Sequence, residues 1–173
     1  MDDEKIEKNN KREVSDSDKL FYFERNFFTL DGLWMIEAEK ETDWDTALRI
    51  DTAVWKRLLK IIIRRIKRYL NIESDTVKDL VDILTFRWSV EGWDYNIIIV
   101  EEDNAEIEAF KCPYQEMMKR NPDRHDKIPL ICKDMCIGFY KEVTEKFNPD
   151  IELIRTKCIG LGDEVCDFKF KMK

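Results

Sequence analysis

The chain has 173 residues, which is enough for one domain with a substantial hydrophobic core and short for two. Hydrophobic residues make up 43% of it and charged residues 39%, as in soluble globular proteins with a densely charged surface. The net charge of -7 and the pI near 5.0 argue against a nucleic-acid partner, which would call for a basic face.

The N-terminal residues and the cysteines bear on the expected compartment. No apolar run approaches the roughly eighteen residues that a membrane helix needs, so we expect no membrane partner. Residues 1–18 are charged and lack a hydrophobic segment, which argues against a secretory signal and favours the cytoplasm. In that reducing compartment the 5 cysteines are expected to be core thiols, metal ligands or catalytic groups rather than disulfides.

The N-terminal half is predicted to be helical. Residues 1–18 have little apolar content and are expected to be disordered or loosely attached, whereas residues 19–173 form a single ligand-binding domain. The apolar spacing of residues 21–38, with a repeat of three or four, predicts a first helix. Capping signals at Thr42 and Ser74 then predict the starts of a long second helix and of a third one.

The C-terminal half is predicted to combine strands and helices. Runs rich in β-branched residues, separated by turn residues, indicate two antiparallel hairpins. The expected strands cover residues 94–100, 105–110, 151–159 and 165–172, and the expected helices cover residues 114–119 and 129–147. The chain is therefore predicted to be an α+β domain, with a helical N-terminal half packed on an antiparallel sheet built from the two hairpins.

The cysteines all lie from residue 112 onward, most of them at the ends of predicted elements. Cys112 follows the first hairpin, and Cys158 and Cys166 flank the glycine turn of the second. Cys132 and Cys136 are four residues apart on one helix, so their side chains share a face. Because thiolates bind zinc and iron–sulfur clusters, we predict a metal site ligated by Cys112, Cys158 and Cys166, with Cys132 as the fourth ligand.

Metal-free interpretations remain open, because the cysteine spacing matches no compact zinc-finger pattern. Cys112 at the start of a helix could be a nucleophile whose pKa is lowered by the helix dipole, with His125 as its base. His125 lies in a polar loop, where a solvated side chain is the simpler interpretation. Cys132 and Cys136 could equally be small core residues on the buried side of a helix.

Several residues on the apolar stripes are candidates for lining a ligand pocket. Asp51 lies on the inward side of the long helix, where a carboxylate must be paired, hydrogen-bonded or protonated. It fits either a salt bridge to an arginine or a polar contact to a bound ligand. Tryptophans at helical spacing fit either the core or an apolar pocket. The pocket candidates are Trp34, Asp51, Trp55, Trp88 and His125.

The end of the chain resembles a known family. The sequence KCIGLGDEVCDFKF at 157–170, with KCPY at 111–114 and IC at 131–132, resembles the L-2-amino-thiazoline-4-carboxylic acid hydrolase-like family. It is also similar to the related vinyl-reductase-type small-molecule-binding domains. The segments LDGLW at 30–34 and DTAVW at 51–55 are similar to a group attached to the same superfamily.

The resemblance implies an α+β ligand-binding domain in which cysteines at positions such as Cys112, Cys158 and Cys166 gather near a pocket, with a metal as one option. The expected function is that of a cytoplasmic small-molecule-binding protein with a zinc or iron–sulfur site. A hydrolase or related activity on a small sulfur or nitrogen compound is one outcome. The alternative is a non-enzymatic ligand sensor or interaction domain with structural cysteines. The expected partner is a small-molecule ligand, with no nucleic acid and no membrane, and a homodimer is compatible with the sequence.

Overall fold

The first half of the chain is helical in the computed structural model, which describes residues 12–173. Helix α1 spans Asp16–Glu41, α2 spans Trp44–Tyr69 and α3 spans Val77–Glu91. Each helix begins after a side chain that accepts a hydrogen bond from a backbone N–H of the first turn, namely Ser15, Asp43 and Thr76. The second cap lies one residue after the predicted one, and the third lies two residues after it.

Helix α1 begins inside the segment 1–18, whose composition predicts disorder. The Asp18 backbone N–H donates to Ser15 Oγ at 3.1 Å, and the Ser15 backbone N–H donates to the Asp18 carboxylate at 2.9 Å. This reciprocal capping box fixes the first turn ahead of the apolar stripe. Residues 1–11 of the expected tail lie outside the described residues.

The second half contains four strands and three short helices. Strands β1, β2, β3 and β4 span Asp94–Val100, Asn104–Lys111, Ile151–Ile154 and Cys166–Met172. Between β2 and β3, helices α4, α5 and α6 span Pro113–Lys119, Lys127–Leu130 and Ile137–Phe147. A π-helical turn, Ile131–Cys136, joins α5 to α6, so the predicted helix 129–147 is continuous but widened in its first half.

The sheet has the order β1-β2-β4-β3 with every pair antiparallel, so each predicted hairpin is present. Its inner face carries Ala105, Ile107, Phe168 and Phe170, all buried beneath the helices. Helix α3 packs on β1, β2 and β4, and α6 packs on β3. Helix α2 lies against α3 and α6, and α1 packs on α2 and α4. The α+β prediction is confirmed, and none of the helices within residues 12–173 is long and apolar enough to cross a membrane.

Strand β3 is shorter than the predicted strand 151–159. Its end is set by the Asp167 carboxylate, which accepts hydrogen bonds from the backbone N–H groups of Thr156 at 2.8 Å and Lys157 at 2.7 Å. Those donors therefore face a side chain rather than a neighbouring strand. The segment leaves the sheet and forms a 3₁₀ turn, Ile159–Leu161, which packs on the π-helical turn that carries two of the cysteines.

Candidate functional site

A cavity of about 310 Å³ lies between α1, α2, α4 and the run of helix from the π-helical turn into α6. Its wall is mostly apolar and includes Phe28, Met35, Trp55, Tyr114, Met117 and Phe139. The volume is at the lower end of the range for small-molecule pockets, about 300–1,000 Å³. Its size and lining suit a small ligand with an apolar body.

Two carboxyl groups interrupt this apolar wall on the side of α1 and α2. Asp31 Oδ1 accepts a hydrogen bond from Trp55 Nε1 at 3.0 Å. Asp51, one helical turn before Trp55, is only 6% exposed, and its Oδ1 has no hydrogen-bond partner among residues 12–173. An acceptor buried without a donor is unfavourable, so this oxygen marks a place where a donor would be stabilising.

The two carboxyl groups have pKa values well above their usual range. Burial, and after it the nearby charge of Asp31, together raise the pKa of Asp51 to about 7. Burial also raises the pKa of Asp31 to about 6, although the hydrogen bond from Trp55 opposes the rise. The pair can therefore hold or release a proton near neutral pH.

A buried arginine beside the cavity is fully engaged. Arg87 Nε donates to Glu91 Oε1 at 2.7 Å, and its terminal nitrogens donate to the hydroxyls of Tyr140 at 3.3 Å and Tyr114 at 3.2 Å. These bonds satisfy the guanidinium with one carboxylate and two phenols. Arg87 therefore does not pair with Asp51, for which the sequence left a salt bridge to an arginine open.

The cysteines form a second cluster at the cavity. Cys112, Cys132 and Cys136 line the cavity, and Cys158 and Cys166 are buried beyond Cys132. The Cys158 and Cys166 sulfurs are 3.9 Å apart. The pKa of Cys158 is lowered because the thiols of Cys132 and Cys166 donate hydrogen bonds to its sulfur.

A glycine makes room for this cluster. A Cβ built at Gly160 would overlap the Cys132 sulfur and would lie 2.8 Å from the Cys132 Cβ. Any side chain at Gly160 must therefore displace Cys132 or the 3₁₀ turn. The glycine is required at this position for close approach between the turn and the helix.

The pKa of Cys112 is raised to about 12, which is opposite to the direction predicted from its position before α4. Burial outweighs the backbone N–H groups of Gln115 and Tyr114, which lower the pKa. The raised pKa keeps the Cys112 thiol protonated at neutral pH, so it gives no support to an activated nucleophile at this position.

A second buried arginine lies among the cysteines. The Arg155 side chain is 1% exposed, and its three guanidinium nitrogens make no hydrogen bond of good geometry within the described chain, although the guanidinium lies close to the Cys136 sulfur. Its Nε lies 3.9 Å from Asp167 Oδ1, and its guanidinium stacks 3.8 Å from the centroid of the Phe168 ring. The positive charge of Arg155 opposes the raised pKa of Cys136 and adds to the lowering of that of Cys158.

The side chains that the structure describes around the cavity do not form a ready metal site. Within residues 12–173, no group of three or more His, Cys, Asp or Glu side chains is placed so that all could hold one metal ion. All five cysteines of the chain are free thiols. The donor chemistry suits zinc or an iron–sulfur cluster, but the positions of the thiols as they stand do not form a ligand set.

Comparison with known proteins identifies the family. The family model for L-2-amino-thiazoline-4-carboxylic acid hydrolase matches residues 9–170. The chain belongs to this family. The resemblance seen in the sequence is thus confirmed, and the match includes the segments that hold both the carboxyl pair and the cysteines.

The other comparisons add information on the fold. No curated protein matches this member of the thiazoline-carboxylic acid hydrolase family. Among solved structures, it is similar to a trafficking protein particle complex subunit 3 from Naegleria fowleri covalently bound to palmitic acid, with a TM-score of 0.56 and 14% identity. The match covers 88% of this chain and 96% of the other. At this identity the likeness shows a shared fold alone.

Of the five predicted pocket residues of this family member, two line the cavity and three do not. Asp51 and Trp55 line the cavity. Trp34 is 52% exposed, because the cavity side of α1 is taken by Asp31 and Met35. The other two candidates are also not among the residues that line the cavity.

Trp88 and His125 each have a different role. Trp88 is fully buried in the core, where its Nε1 donates to Tyr140 Oη at 2.9 Å. His125 is exposed, and its Nε2 lies 2.9 Å from the Lys119 carbonyl oxygen. The histidine therefore holds its loop against the end of α4 and does not face Cys112 across the cavity.

Sequence reasoning missed Asp31 as a site residue. It lies three positions after Phe28 and four before Met35, so all three share the face of α1 that lines the cavity. This spacing, together with its place in the LDGLW segment, was the signal that could have found it. Arg155 was also not recognised as a site residue. The sequence predicted a strand through residues 151–159, whereas β3 ends at Ile154 and the Arg155 side chain is buried beside the cysteines.

Proposed function

We propose that the protein binds a small molecule in the cavity and acts on it as a hydrolase-like enzyme of small sulfur- or nitrogen-containing compounds. The observation that carries this proposal is the pair Asp31 and Asp51, which interrupts an otherwise apolar wall. Family membership supports the hydrolase class. The size of the cavity supports a small substrate.

The carboxyl pair would supply acid and base chemistry at one place. A carboxylate with a pKa of about 6 can accept a proton from water near neutral pH. A partner with a pKa of about 7 keeps a proton that it can give to a leaving sulfur or nitrogen. Because general acid–base groups work best with pKa values near the operating pH, Asp31 and Asp51 together are the proposed acid–base pair.

The test is hydrolysis of 2-amino-thiazoline-4-carboxylic acid by the purified protein, followed by mass spectrometry as the uptake of one water. We expect turnover by the wild type and a fall in kcat of about 100-fold or more for Asp51→Asn, since acid–base groups contribute about 10²–10⁴-fold. Asp45→Asn is the matched control, because Asp45 is exposed on the same helix. Full turnover by Asp51→Asn, or none by the wild type, would contradict the enzymatic proposal.

Ligand binding without turnover is the second candidate function, that of a sensor or interaction domain. The predominantly apolar wall favours it, because such a wall can hold a ligand with no reaction. The trafficking complex subunit with a similar fold is covalently bound to palmitic acid. Binding that changes the fluorescence of Trp55 and Trp93, both in the cavity wall, with no product formed, would select this function.

A cysteine-ligated zinc ion or iron–sulfur cluster is part of the proposal as a cofactor. Two features support it. The 3.9 Å between the Cys158 and Cys166 sulfurs is close to the roughly 3.8 Å expected for two thiolates on one tetrahedral zinc with bonds of about 2.3 Å. The unpartnered nitrogens of Arg155 could donate to metal-bound thiolates, as outer partners of metal ligands do. The absence of a ready ligand set in the described residues weighs against it.

Metal analysis and an absorption spectrum of anaerobically purified protein test the cofactor. The comparison is between the wild type and the variants Cys158→Ser and Cys166→Ser. Stoichiometric zinc or iron in the wild type that both variants lose would support the metal, and a visible absorption band would select iron–sulfur. Wild-type protein free of both metals would reject the cofactor. The proposed role of the carboxyl pair does not depend on that result.

A further inference from the structure

We propose that the ligand of the cavity carries a protonated nitrogen, as in an amidinium or ammonium group, and that Asp51 together with Asp31 binds it. This inference rests on the proposed function, because it takes the cavity to be the ligand site. It adds the chemical class of the group that is recognised and the side chains that recognise it.

The first support is the unsatisfied oxygen. Asp51 is more than nine-tenths buried, lines the cavity and has an oxygen without a donor among residues 12–173. Asp31, in contrast, has one donor, the indole of Trp55. A ligand N–H at Asp51 would complete the hydrogen bonds of the pair, and a charged donor would do so with a stronger bond than a neutral one.

The second support is the balance of charges around the pair. The nearest cation from α3, Arg87, is already matched by Glu91 at 2.7 Å. Glu91 also raises the pKa of Asp31, so it lies near enough to add negative charge. The two aspartates thus lack a protein cation of their own, and a cationic ligand group would supply one.

The basic residues at the edge of the cavity do not fill this role. Arg124 forms an ion pair with Glu39, and its guanidinium lies over the ring of Trp44. Lys127 Nζ lies 3.2 Å from Asp126 and 4.7 Å from the centroid of the same ring. Each edge cation is therefore held by an acid and by the indole ring, and neither forms an ion pair with Asp31 or Asp51.

The third support is the aromatic surface beside the carboxyl pair. Trp55 donates to Asp31 and also presents its ring to the cavity, with Tyr114 edge-on at 5.2 Å. Aromatic faces attract cations, and they stack on flat groups such as an amidinium. An acidic ligand head would instead meet two carboxyl groups. The wall therefore favours a flat, cationic nitrogen group on an apolar body.

Three probes of matched shape and different charge test this inference: benzamidine, which is a cation, benzamide, which is neutral, and benzoate, which is an anion. Calorimetry on the full chain at pH 8 measures their affinities. We expect benzamidine to bind about 10-fold or more tighter than benzamide, and benzoate to bind most weakly.

Asp51→Asn should reduce the ratio of benzamidine to benzamide affinity to about one, with most of the loss in the affinity for benzamidine. Asp45→Asn should keep the wild-type ratio, and Asp31→Asn serves as a second variant should Asp51→Asn fail to fold. A wild type that binds benzamidine and benzamide equally, or a preference that survives Asp51→Asn, would overturn this inference and leave the cavity as the ligand site. A wild type that binds none of the three would overturn the cavity as the ligand site and this inference with it.

Discussion

Replacing Asp51 by asparagine should change how the stability of the protein depends on pH. The pKa of Asp51 rises from 3.8 to about 7 on folding because the carboxyl group is buried. The folded state therefore resists ionisation that the unfolded chain undergoes freely. For a raised carboxyl pKa, the stability is greatest below the unfolded pKa and is lost as the pH rises through the folded pKa.

The magnitude follows from the two pKa values. At pH 8 the buried carboxylate costs about 4 kcal/mol, at about 1.4 kcal/mol for each tenfold change in proton affinity. At pH 5 the cost is about 1.5 kcal/mol, because the folded group is still protonated there. Going from pH 5 to pH 8 should therefore lower the free energy of unfolding of the wild type by about 2.5 kcal/mol through this group alone.

Urea unfolding followed by tryptophan fluorescence at pH 5, 6, 7 and 8 measures this pH dependence of the free energy of unfolding. The Asp51→Asn variant should lack it, so the difference between wild type and variant should grow by about 2.5 kcal/mol across the range. The exposed control Asp45→Asn should follow the wild type. Parallel curves for the wild type and Asp51→Asn would refute the reasoning, because they would show that Asp51 ionises as readily in the folded state as in the unfolded chain.

Two further substitutions test the cysteine side of the site. Gly160→Ala should lower the free energy of unfolding by about 1–3 kcal/mol because the new methyl overlaps Cys132, whereas Gly138→Ala, with nothing within 4 Å, should be neutral or stabilising in its helix. Equal effects in urea unfolding would contradict this contact. Asp167→Asn should cost about 3–5 kcal/mol by leaving Arg155 as an uncompensated buried charge, and adding Arg155→Met should restore part of the loss. A double variant as unstable as the single one would contradict the pairing.

The elements of the fold could be predicted because their signals are local. Caps and apolar stripes set the N-terminal helices to within a few residues, and β-branched runs set the two hairpins. The end of β3 could not be predicted, because it depends on Asp167, which lies 13 residues after Ile154 in the sequence and takes the backbone donors of the segment between them. The π-helical turn was not predicted either, because its segment has the apolar spacing of an ordinary helix.

The candidate site could be predicted only in part, because some of its signals are local and others depend on how the helices pack. Asp51 was found because a carboxylate on an apolar stripe conflicts with its local environment, and such conflicts often mark functional positions. The cysteines were expected to meet because turns and helix faces bring element ends together. Helical spacing alone does not tell which side of a helix meets a neighbour, so it could not separate Trp34, which is exposed, from Trp55, which lines the cavity.

The central claim is that the cavity behind Asp51 is the ligand site, and filling it is the most direct test. Gly32 lies in the cavity wall, and a Cβ at this position would meet nothing within 4 Å. Gly32→Phe should occupy the cavity and abolish benzamidine binding in calorimetry. Gly138→Phe, an equally open glycine outside the cavity wall, should bind as the wild type does. Wild-type affinity in a folded Gly32→Phe variant would contradict the claim.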